Sequence, residues 1–372
     1  MPDSVSLLQA EKSEKERVKE LLVPETSHIL FNSDSRQMSG IPDQTVDLVL
    51  TSPPYPMVEM WDGLFQAWDS NVSDSLSEPD GDSAFEYMHL QLDKVWTECY
   101  RVLKEGGILL INIGDATRSI GGEFRLYSNH SRILQACRKL GFNTLPDILW
   151  RKQTNSPTKF MGSGMFPVGA YVTYEHEYIL IFRKGGLRKF SKKEVEIRRN
   201  SAFFWEERNK WFSDVWEIKG ERQIFKDVGA SRERSAAFPL EFAYRLINMF
   251  SIKGDMVLDP FLGTGTTSLA AVLGCRSSIG FDIDRGILDI ARKRLLGVEE
   301  IGAKLIENRL QDHFEFISER NRTGKSAGHL NRVYNIPVIT SQERSLSFEL
   351  VSEVQEAAEL SVNAKYSHYE IK

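Results

Sequence analysis

The sequence predicts an α/β fold in which a doubly wound, mostly parallel sheet is covered by helices on both faces. Residues 108–113 (ILLINI) form an uninterrupted apolar run, which is typical of a strand covered on both faces. Residues 85–103 before this run carry apolar side chains at helical spacing, and the pattern stops at residues 104–107 (KEGG). A helix followed by a buried strand indicates parallel strands joined by helical crossovers.

The same alternation continues along most of the chain. The predicted strands are residues 28–35, 46–50, 108–113, 145–150, 177–182, 256–258 and 277–281. The predicted helices are residues 85–103, 131–140, 240–250, 266–273 and 285–295. Because ligands of such sheets bind at the carboxyl ends of the strands, we expect the functional residues where these strands end.

The composition is that of a globular protein large enough to bury a full core. Of the 372 residues 41% are hydrophobic and 27% are charged, and no apolar run approaches the ~20 residues that span a bilayer. The charged amino terminus differs from a signal peptide, so we expect a cytoplasmic protein. Cys99, Cys137 and Cys275 are too far apart in the chain to predict a zinc site or a disulfide framework, and we expect no metal.

The net charge of −5 hides a strongly basic segment. Residues 183–200 hold eight Lys or Arg and two Glu, which gives a local net charge of +6. A surface of this charge can bind a polyanion. The wider basic and aromatic segment 185–235 lies outside the strand and helix alternation, as does the polar segment 299–372, in which structural signals are weak.

Residues 256–267 (MVLDPFLGTGTT) read as a strand that ends in an acidic residue, followed by a glycine-containing turn and a helix. Glycines let the backbone approach a ligand, and the helix amino terminus offers free amides. Asp282 ends the next predicted strand, where a carboxylate can accept the hydroxyl protons of a ribose. A dinucleotide fingerprint would need a third glycine where Ser268 stands, and a Walker lysine is absent. Hydride transfer and phosphoryl transfer are therefore disfavoured.

Residues 51–55 (TSPPY) follow the predicted strand 46–50. One interpretation is a turn stiffened by Pro53 and Pro54. The alternative is a catalytic role: the Ser52 hydroxyl and the Pro53 carbonyl accept both hydrogens of an exocyclic amine, which frees its lone pair to attack a sulfonium methyl. The Tyr55 ring would then stack on an extruded base.

Both motifs together resemble those of the amino-group DNA methyltransferases, specifically the permuted subgroup in which the catalytic half precedes the cofactor half. The resemblance covers residues 28–184 and 236–295 and includes the segments ECYRVLKEGGILLINIGD and EHEYILIFRK. It implies the seven-stranded, Rossmann-like sheet of S-adenosylmethionine-dependent methyltransferases, with an inserted target-recognition region.

The resemblance also implies a role for individual residues. The base-binding and catalytic group would be Ser52, Pro53, Pro54 and Tyr55. The cofactor would contact Asp259, Phe261, Gly263 and Gly265 at its methionine end, Asp282 at its ribose and Asp34 at its adenine. Two departures from the family pattern stand out, since Ser33-Asp34 replaces the usual Gly-Asp and Gly263-Thr264-Gly265 replaces the commoner Gly-Ser-Gly.

A serine at position 52 favours cytosine N4 as the methylated atom, because related adenine enzymes more often resemble Asp or Asn followed by Pro-Pro-Tyr. Adenine N6 in DNA, an amine in RNA, and a nucleic-acid-binding module without turnover remain the alternatives. The implied partners are double-stranded DNA and a cognate restriction endonuclease.

In the permuted order the target-recognition region corresponds to residues 185–235. The predicted DNA contacts are Arg188, Lys189, Lys192, Lys193, Arg198 and Arg199. Phe203, Phe204, Trp205, Trp211 and Trp216 are expected to form this region's own small core.

Several other residues near the predicted site carry weaker expectations. Residues 159–166, which include Lys159, read as a loop beside the site. Trp61 and Asp62 are expected to shape the target pocket, and His176 and Glu177 to be structural.

The sequence thus divides into an amino-terminal extension, two methyltransferase halves separated by the target-recognition region, and a carboxyl-terminal extension of no identified chemistry. The boundaries expected for these five segments are 1–27, 28–184, 185–235, 236–298 and 299–372.

Overall fold

The computed structural model describes residues 25–152, 161–220 and 238–371, and its centre is an eleven-stranded sheet. The strands are β1 Glu25–Asn32, β2 Val46–Thr51, β3 Leu103–Ile113, β4 Ala116–Ile120, β5 Glu123–Tyr127, β6 Phe142–Thr144, β7 Ile148–Arg151, β8 Met161–Gly162, β9 Ala170–Tyr171, β10 His176–Lys184, β11 Val215–Trp216, β12 Met256–Asp259, β13 Ser277–Asp282, β14 His329–Asn331, β15 Ile336–Val338, β16 Glu349–Ala358 and β17 Ser361–His368.

Helices cover both faces of this sheet. Among the described residues they are α1 Asp62–Trp68, α2 Ser70–Ser77, α3 Gly81–Val102, α4 Asn129–Leu140, α5 Lys192–Asn200, α6 Trp205–Trp211, α7 Leu240–Phe250, α8 Thr266–Leu273, α9 Arg285–Leu296 and α10 Glu299–Arg322, with 3-10 turns at Glu59–Trp61 and Ser341–Ser345. None of the helices within these ranges has the length and apolar content needed to cross a membrane.

The strand order is β11-β7-β10-β3-β2-β12-β13-β1-β17-β16, with β6 also paired to β10. The strands β3, β2, β12, β13 and β1 run parallel to one another, whereas β10 is antiparallel to β3 and to β7. The predicted α/β fold with a mostly parallel centre is confirmed. The seven predicted strands are the neighbouring strands β7, β10, β3, β2, β12, β13 and β1 of this order, and further strands extend the sheet on both sides.

The alternation of side chains along β2 shows why both faces of the sheet are covered. Leu48 and Leu50 belong to one buried cluster, which also contains the core residues of α7, α8 and α9. Val49 points into a second cluster, where Trp96 of α3 and Ile133 of α4 are fully buried. Successive strand residues point to opposite faces, so an uninterrupted apolar strand needs helices on each side.

The predicted element boundaries differ from the structure mainly at α3 and β3. Helix α3 begins four residues earlier than predicted, because the Asp80 side chain caps it by accepting a hydrogen bond from the Ser83 amide at 3.1 Å. Strand β3 begins at Leu103, directly after the helix. The KEGG segment therefore lies in the strand, where Gly106 takes a φ of +79° beside an irregularity in the pairing with β2.

The carboxyl-terminal segment 299–372, in which the sequence showed weak structural signals, belongs to the main domain. Strand β17 pairs antiparallel with β1, and β16 pairs with β17. Helix α10 packs against β16 and places Ile306 and Leu310 in a third core with Phe204. The boundary expected at residue 298 therefore does not separate an independent unit, and Phe204 packs on this segment rather than within a core of its own.

Tyr366 on β17 offers a test of this integration. Its buried hydroxyl bonds the Thr26 hydroxyl of β1 at 2.7 Å and the Val272 carbonyl of α8 at 2.9 Å. Tyr366→Phe should lower the free energy of unfolding by about 1–3 kcal/mol, because buried polar groups lose their partner. Urea unfolding measures the loss. The partly exposed Tyr369→Phe is the matched control, with a loss below about 0.5 kcal/mol. Equal losses in the two variants would contradict the structural role of β17.

Candidate active site

A cavity of about 1160 Å³ opens at the carboxyl ends of β1, β2, β12 and β13. Each of these parallel strands is followed by a turn that contributes to the cavity wall, and α1 with the preceding 3-10 turn covers one side. The lining residues are Ser33, Asp34, Ser35, Ser52, Pro53, Pro54, Met60, Trp61, Gly63, Leu64, Ala67, Trp68, Phe238, Asp259, Pro260, Phe261, Leu262, Gly263, Thr264, Thr266, Phe281, Asp282, Ile283 and Asp284.

The structure brings most of the residues predicted for catalysis and cofactor binding to this one cavity. The residues that share its wall are Ser52, Pro53, Pro54, Asp34, Asp259, Phe261, Gly263 and Asp282. They come from both motifs, because β2 and β12 are neighbours in the sheet, with Leu48 opposite Val257 and Val49 opposite Leu258. Parallel neighbours end at the same edge, so the two motifs face each other.

The buried Asp259 carboxylate connects the two motifs directly. One of its oxygens accepts a hydrogen bond from the Thr51 hydroxyl at 2.7 Å, and the other accepts one from the Thr267 hydroxyl at 2.6 Å. The Phe261 amide also donates to it at 3.0 Å. Burial raises the pKa of Asp259 to about 6, although these hydrogen bonds act in the opposite direction.

The two glycines of the cofactor loop have different tasks. Gly263 lines the cavity, has a φ of +54° and donates its amide to the Asp282 carboxylate at 3.1 Å. Gly265 has a φ of +83°, and a Cβ built on it would lie 2.8 Å from the Ala291 side chain of α9. Gly265 therefore permits close packing of the turn on α9, and the structure does not place it on the cavity wall.

Asp34 and Asp282 are held differently. Asp282 also receives the Asp284 amide at 2.9 Å, which fixes its carboxylate at the cavity wall. Asp34 forms an ion pair of 2.6 Å with Arg36, whose guanidinium lies over the Trp68 ring. Partial burial raises the pKa of Asp34, but the hydrogen bonds and charge of Arg36 outweigh it and bring the pKa below its ordinary value.

Tyr55 does not lie where the sequence placed it. Its side chain is 9% exposed, it is part of the core beneath the sheet edge, and its ring is not on the cavity wall. The hydroxyl donates to Glu177 at 2.9 Å, accepts from Asn112 at 3.0 Å and lies 3.1 Å from the Ser52 hydroxyl. The buried polar partners hold the ring inward, so the stacking role predicted for it does not fit this structure.

Glu177 is the functional candidate that sequence reasoning missed. It is the second residue of β10, and its carboxylate bonds Tyr55, Asn112 and Lys152. The sequence predicts a structural role for Glu177 because it starts an apolar strand. The signal that could have identified it is its position at the start of a strand that runs antiparallel beside β3, because the first residues of such a strand lie at the cavity edge of the sheet.

The basic segment lies at the opposite edge of the sheet. Arg188 forms ion pairs of 2.6 Å with Asp255, 3.1 Å with Glu194 and 3.5 Å with Asp47. Asp255 and Asp47 stand at the amino ends of β12 and β2, away from the cavity. Because β10 is antiparallel, the residues that follow it leave at this far edge. The DNA contact predicted for Arg188 does not fit this position, since three carboxylates take up its charge.

The other predicted DNA contacts share this location. Lys189, Lys192, Lys193, Arg198 and Arg199 are exposed on α5 and the turn before it. Arg198 lies over the Phe190 ring, and Arg199 pairs with Glu196 at 3.0 Å. These five residues stand with Arg188 at the amino edge, so the structure does not bring them together with Ser52.

The remaining expectations concern the loops around the cavity. Trp61 lines the cavity, whereas Asp62 forms a part-buried ion pair of 2.6 Å with Arg118 of β4. Lys159 lies outside the described residues. The segment after it contains the β8–β9 hairpin, in which Met165 and Phe166 are exposed. Among the described residues, no group of three or more His, Cys, Asp or Glu side chains is arranged to hold a metal.

A DNA methylase family, N6_N4_Mtase, matches residues 46–293, a span that contains both motifs. The chain belongs to this family. It is 49% identical over 324 residues to the Type II methyltransferase M.MthZI of Methanothermobacter thermautotrophicus. This alignment covers 86% of this chain and 90% of the relative. It is also 47% identical over 304 residues to the Type II methyltransferase M.MjaI of Methanocaldococcus jannaschii, in an alignment that covers 79% of this chain and 97% of the relative.

Among solved structures, the chain is similar to the DNA modification methylase TTHA0409 of Thermus thermophilus, crystallised in complex with S-adenosyl-L-methionine. The two share 34% identity and a TM-score of 0.54, over 72% of this chain and 94% of the other. The family assignment agrees with the resemblance carried by the two sequence motifs.

The raised pKa of Asp259 predicts a pH effect on stability. Between pH values of about 4 and 6 the folded protein keeps a proton on Asp259 that the unfolded chain has released, so this contribution to stability is lost as the pH rises. Relative to that of Asp259→Asn, the free energy of unfolding of the wild type should fall by up to about 3 kcal/mol across this range. Urea unfolding at several pH values measures the difference, and the exposed Asp289→Asn serves as control. A wild-type curve parallel to that of Asp259→Asn would contradict the prediction.

Proposed function

We propose that the protein transfers a methyl group from S-adenosylmethionine to the exocyclic N4 amine of a cytosine extruded from duplex DNA. The observation that carries this proposal is the common cavity, in which Ser52 and Pro53 face the loop from Asp259 to Gly263. Membership of a DNA methylase family supports DNA as the substrate.

The cavity wall suits a nucleoside cofactor with an amino acid tail. The Asp282 carboxylate is fixed by two backbone amides, and a carboxylate is the acceptor that the two ribose hydroxyls need. The loop residues Asp259, Phe261 and Gly263 would hold the methionine end, and Asp34 with Arg36 would stand at the adenine. When bound, S-adenosylmethionine supplies an electrophilic methyl group on its sulfonium sulfur. Crystallisation of TTHA0409 with this cofactor supports the assignment.

Ser52 and Pro53 would activate the target amine. The nitrogen of an exocyclic amine is a weak nucleophile because its lone pair is delocalised into the ring. Acceptance of its two hydrogens by the Ser52 hydroxyl and the Pro53 carbonyl favours a pyramidal nitrogen with a localised lone pair. The rings of Pro53 and Pro54 restrict φ and hold the turn in place. Trp61 offers a ring on the cavity wall for an extruded base, since the Tyr55 ring is buried.

DNA would approach the cavity at the carboxyl edge of the sheet. The described loops on that side are residues 56–61, 114–128 and 161–175, whereas the basic α5 segment stands at the other edge. The Type II designation of the relatives supports a restriction–modification role with a cognate endonuclease as partner. The choice of cytosine N4 over adenine N6 rests on the serine at position 52.

The reaction product tests the proposed function. Duplex DNA incubated with the protein and S-adenosylmethionine should yield N4-methylcytosine when it is digested to nucleosides and measured by mass spectrometry. Ser52→Ala should lower the yield about 100-fold at unchanged cofactor affinity, because one acceptor for the amine is lost. N6-methyladenine without N4-methylcytosine would overturn the base assignment. Absence of methyl transfer to any duplex would favour a binding module without turnover.

Asp282 provides a separate test of the cofactor site. Asp282→Ala should weaken S-adenosylmethionine binding about 10- to 100-fold, because hydrogen bonds between the ribose and a charged group are lost. Isothermal titration calorimetry measures the dissociation constant. The control is Asp289→Ala, an exposed carboxylate on α9 that stands outside the cavity. Equal affinity in the wild type and Asp282→Ala would remove Asp282 from the cofactor site.

A further inference from the structure

We propose that Glu177 is a positioning residue, which fixes the direction of a hydrogen-bond chain through Tyr55 so that the Ser52 hydroxyl presents its lone pairs to the target amine. This inference rests on the proposed function of Ser52. It assigns the start of β10 to the catalytic machinery, although no part of Glu177 lines the cavity.

The chain of contacts runs from the far side of the catalytic turn to the cavity wall. One Glu177 oxygen bonds the Lys152 ammonium group, and the other accepts from Asn112 at 2.6 Å and from the Tyr55 hydroxyl at 2.9 Å. The Ser52 hydroxyl lies 3.1 Å beyond that of Tyr55. The side chains of Glu177 and Lys152 are 14% and 25% exposed, so water competes weakly for these contacts.

The numbers of donors and acceptors determine the direction of the chain. A carboxylate can only accept, so the single proton of the Tyr55 hydroxyl points to Glu177. Asn112 points its amide nitrogen to Glu177, because the opposite orientation would set its carbonyl oxygen against the carboxylate. The same nitrogen also donates to the Tyr55 oxygen at 3.0 Å. The Tyr55 oxygen can then interact with Ser52 only as an acceptor.

Ser52 must therefore donate its one proton to Tyr55, and its lone pairs remain for another donor. The exposed part of Ser52 lies on the cavity wall, so that donor is the amine of the bound base in the proposed reaction. Burial and the negative charge of Glu177 raise the pKa of Tyr55 well above its ordinary value, so its hydroxyl keeps the proton that sets this direction.

Glu177→Gln reverses the chain at nearly constant shape. Lys152 retains the side-chain oxygen, which turns the amide nitrogen toward both Tyr55 and Asn112, and the Asn112 amide must turn its own oxygen to this nitrogen. No carboxylate then holds the Tyr55 proton. The Tyr55 hydroxyl can then donate to Ser52 and occupy a lone pair that the amine needs. We expect kcat for DNA methylation to fall about 10- to 100-fold, while the KM for DNA and the dissociation constant for S-adenosylmethionine stay within about twofold.

A double-mutant cycle separates positioning from general stabilisation. Tyr55→Phe removes the link to Ser52, so adding Glu177→Gln to it should change kcat by less than about twofold. Glu319→Gln, an exposed carboxylate on α10 that pairs with Arg322, is the control and should retain wild-type kcat. Thermal unfolding of each variant verifies that it is folded at the assay temperature.

The outcomes are distinct from those that test the proposed function. Failure of the wild type to methylate DNA would remove the proposed function and this inference with it. A methylating wild type with undiminished kcat in Glu177→Gln would overturn the inference alone. An equally large loss from Glu177→Gln in the Tyr55→Phe background would also overturn it, because the effect would then bypass Tyr55.

Discussion

The hydrogen bonds that Asp259 accepts from Thr51 and Thr267 are the interaction on which the site depends. Thr51 and Asp259 stand 208 residues apart in the chain, yet they end adjacent parallel strands. A carboxylate buried at this point is costly unless it is hydrogen-bonded or protonated. The contacts therefore select one register of β2 against β12, and this register sets the turn of residues 51–55 opposite the glycine loop.

The direction of β10 decides which side chains reach this edge. In the parallel strands of the sheet centre, the residues after each strand line the cavity. In β10 it is the first residues that lie at this edge, and those after Lys184 emerge at the other one. A single reversal of chain direction thus brings Glu177 to Tyr55 and removes the basic segment from the catalytic cleft.

Local sequence patterns were sufficient to predict the alternating elements and the motif residues that line the cavity, because apolar periodicity and glycine turns act over a few residues. The two site predictions that do not fit the structure depend on tertiary context. A net charge of +6 identifies a basic segment but not the edge on which it lies, and an aromatic residue in a proline turn can be turned inward by buried partners, as Tyr55 is by Glu177 and Asn112. The pairing of β17 with β1 joins distant parts of the chain, so the polar pattern of 299–372 gave no local indication of it.

The position of β17 has a consequence for how genes of this kind are read. Strand β1 carries the turn with Asp34 into the cavity and is held by β13 on one side and β17 on the other. A frameshift between the codons of α10 and those of β17 would leave both sequence motifs intact. The encoded polypeptide would nevertheless have an exposed β1 edge beside the turn that carries Asp34, so motif content alone does not report whether this wall of the cavity is intact.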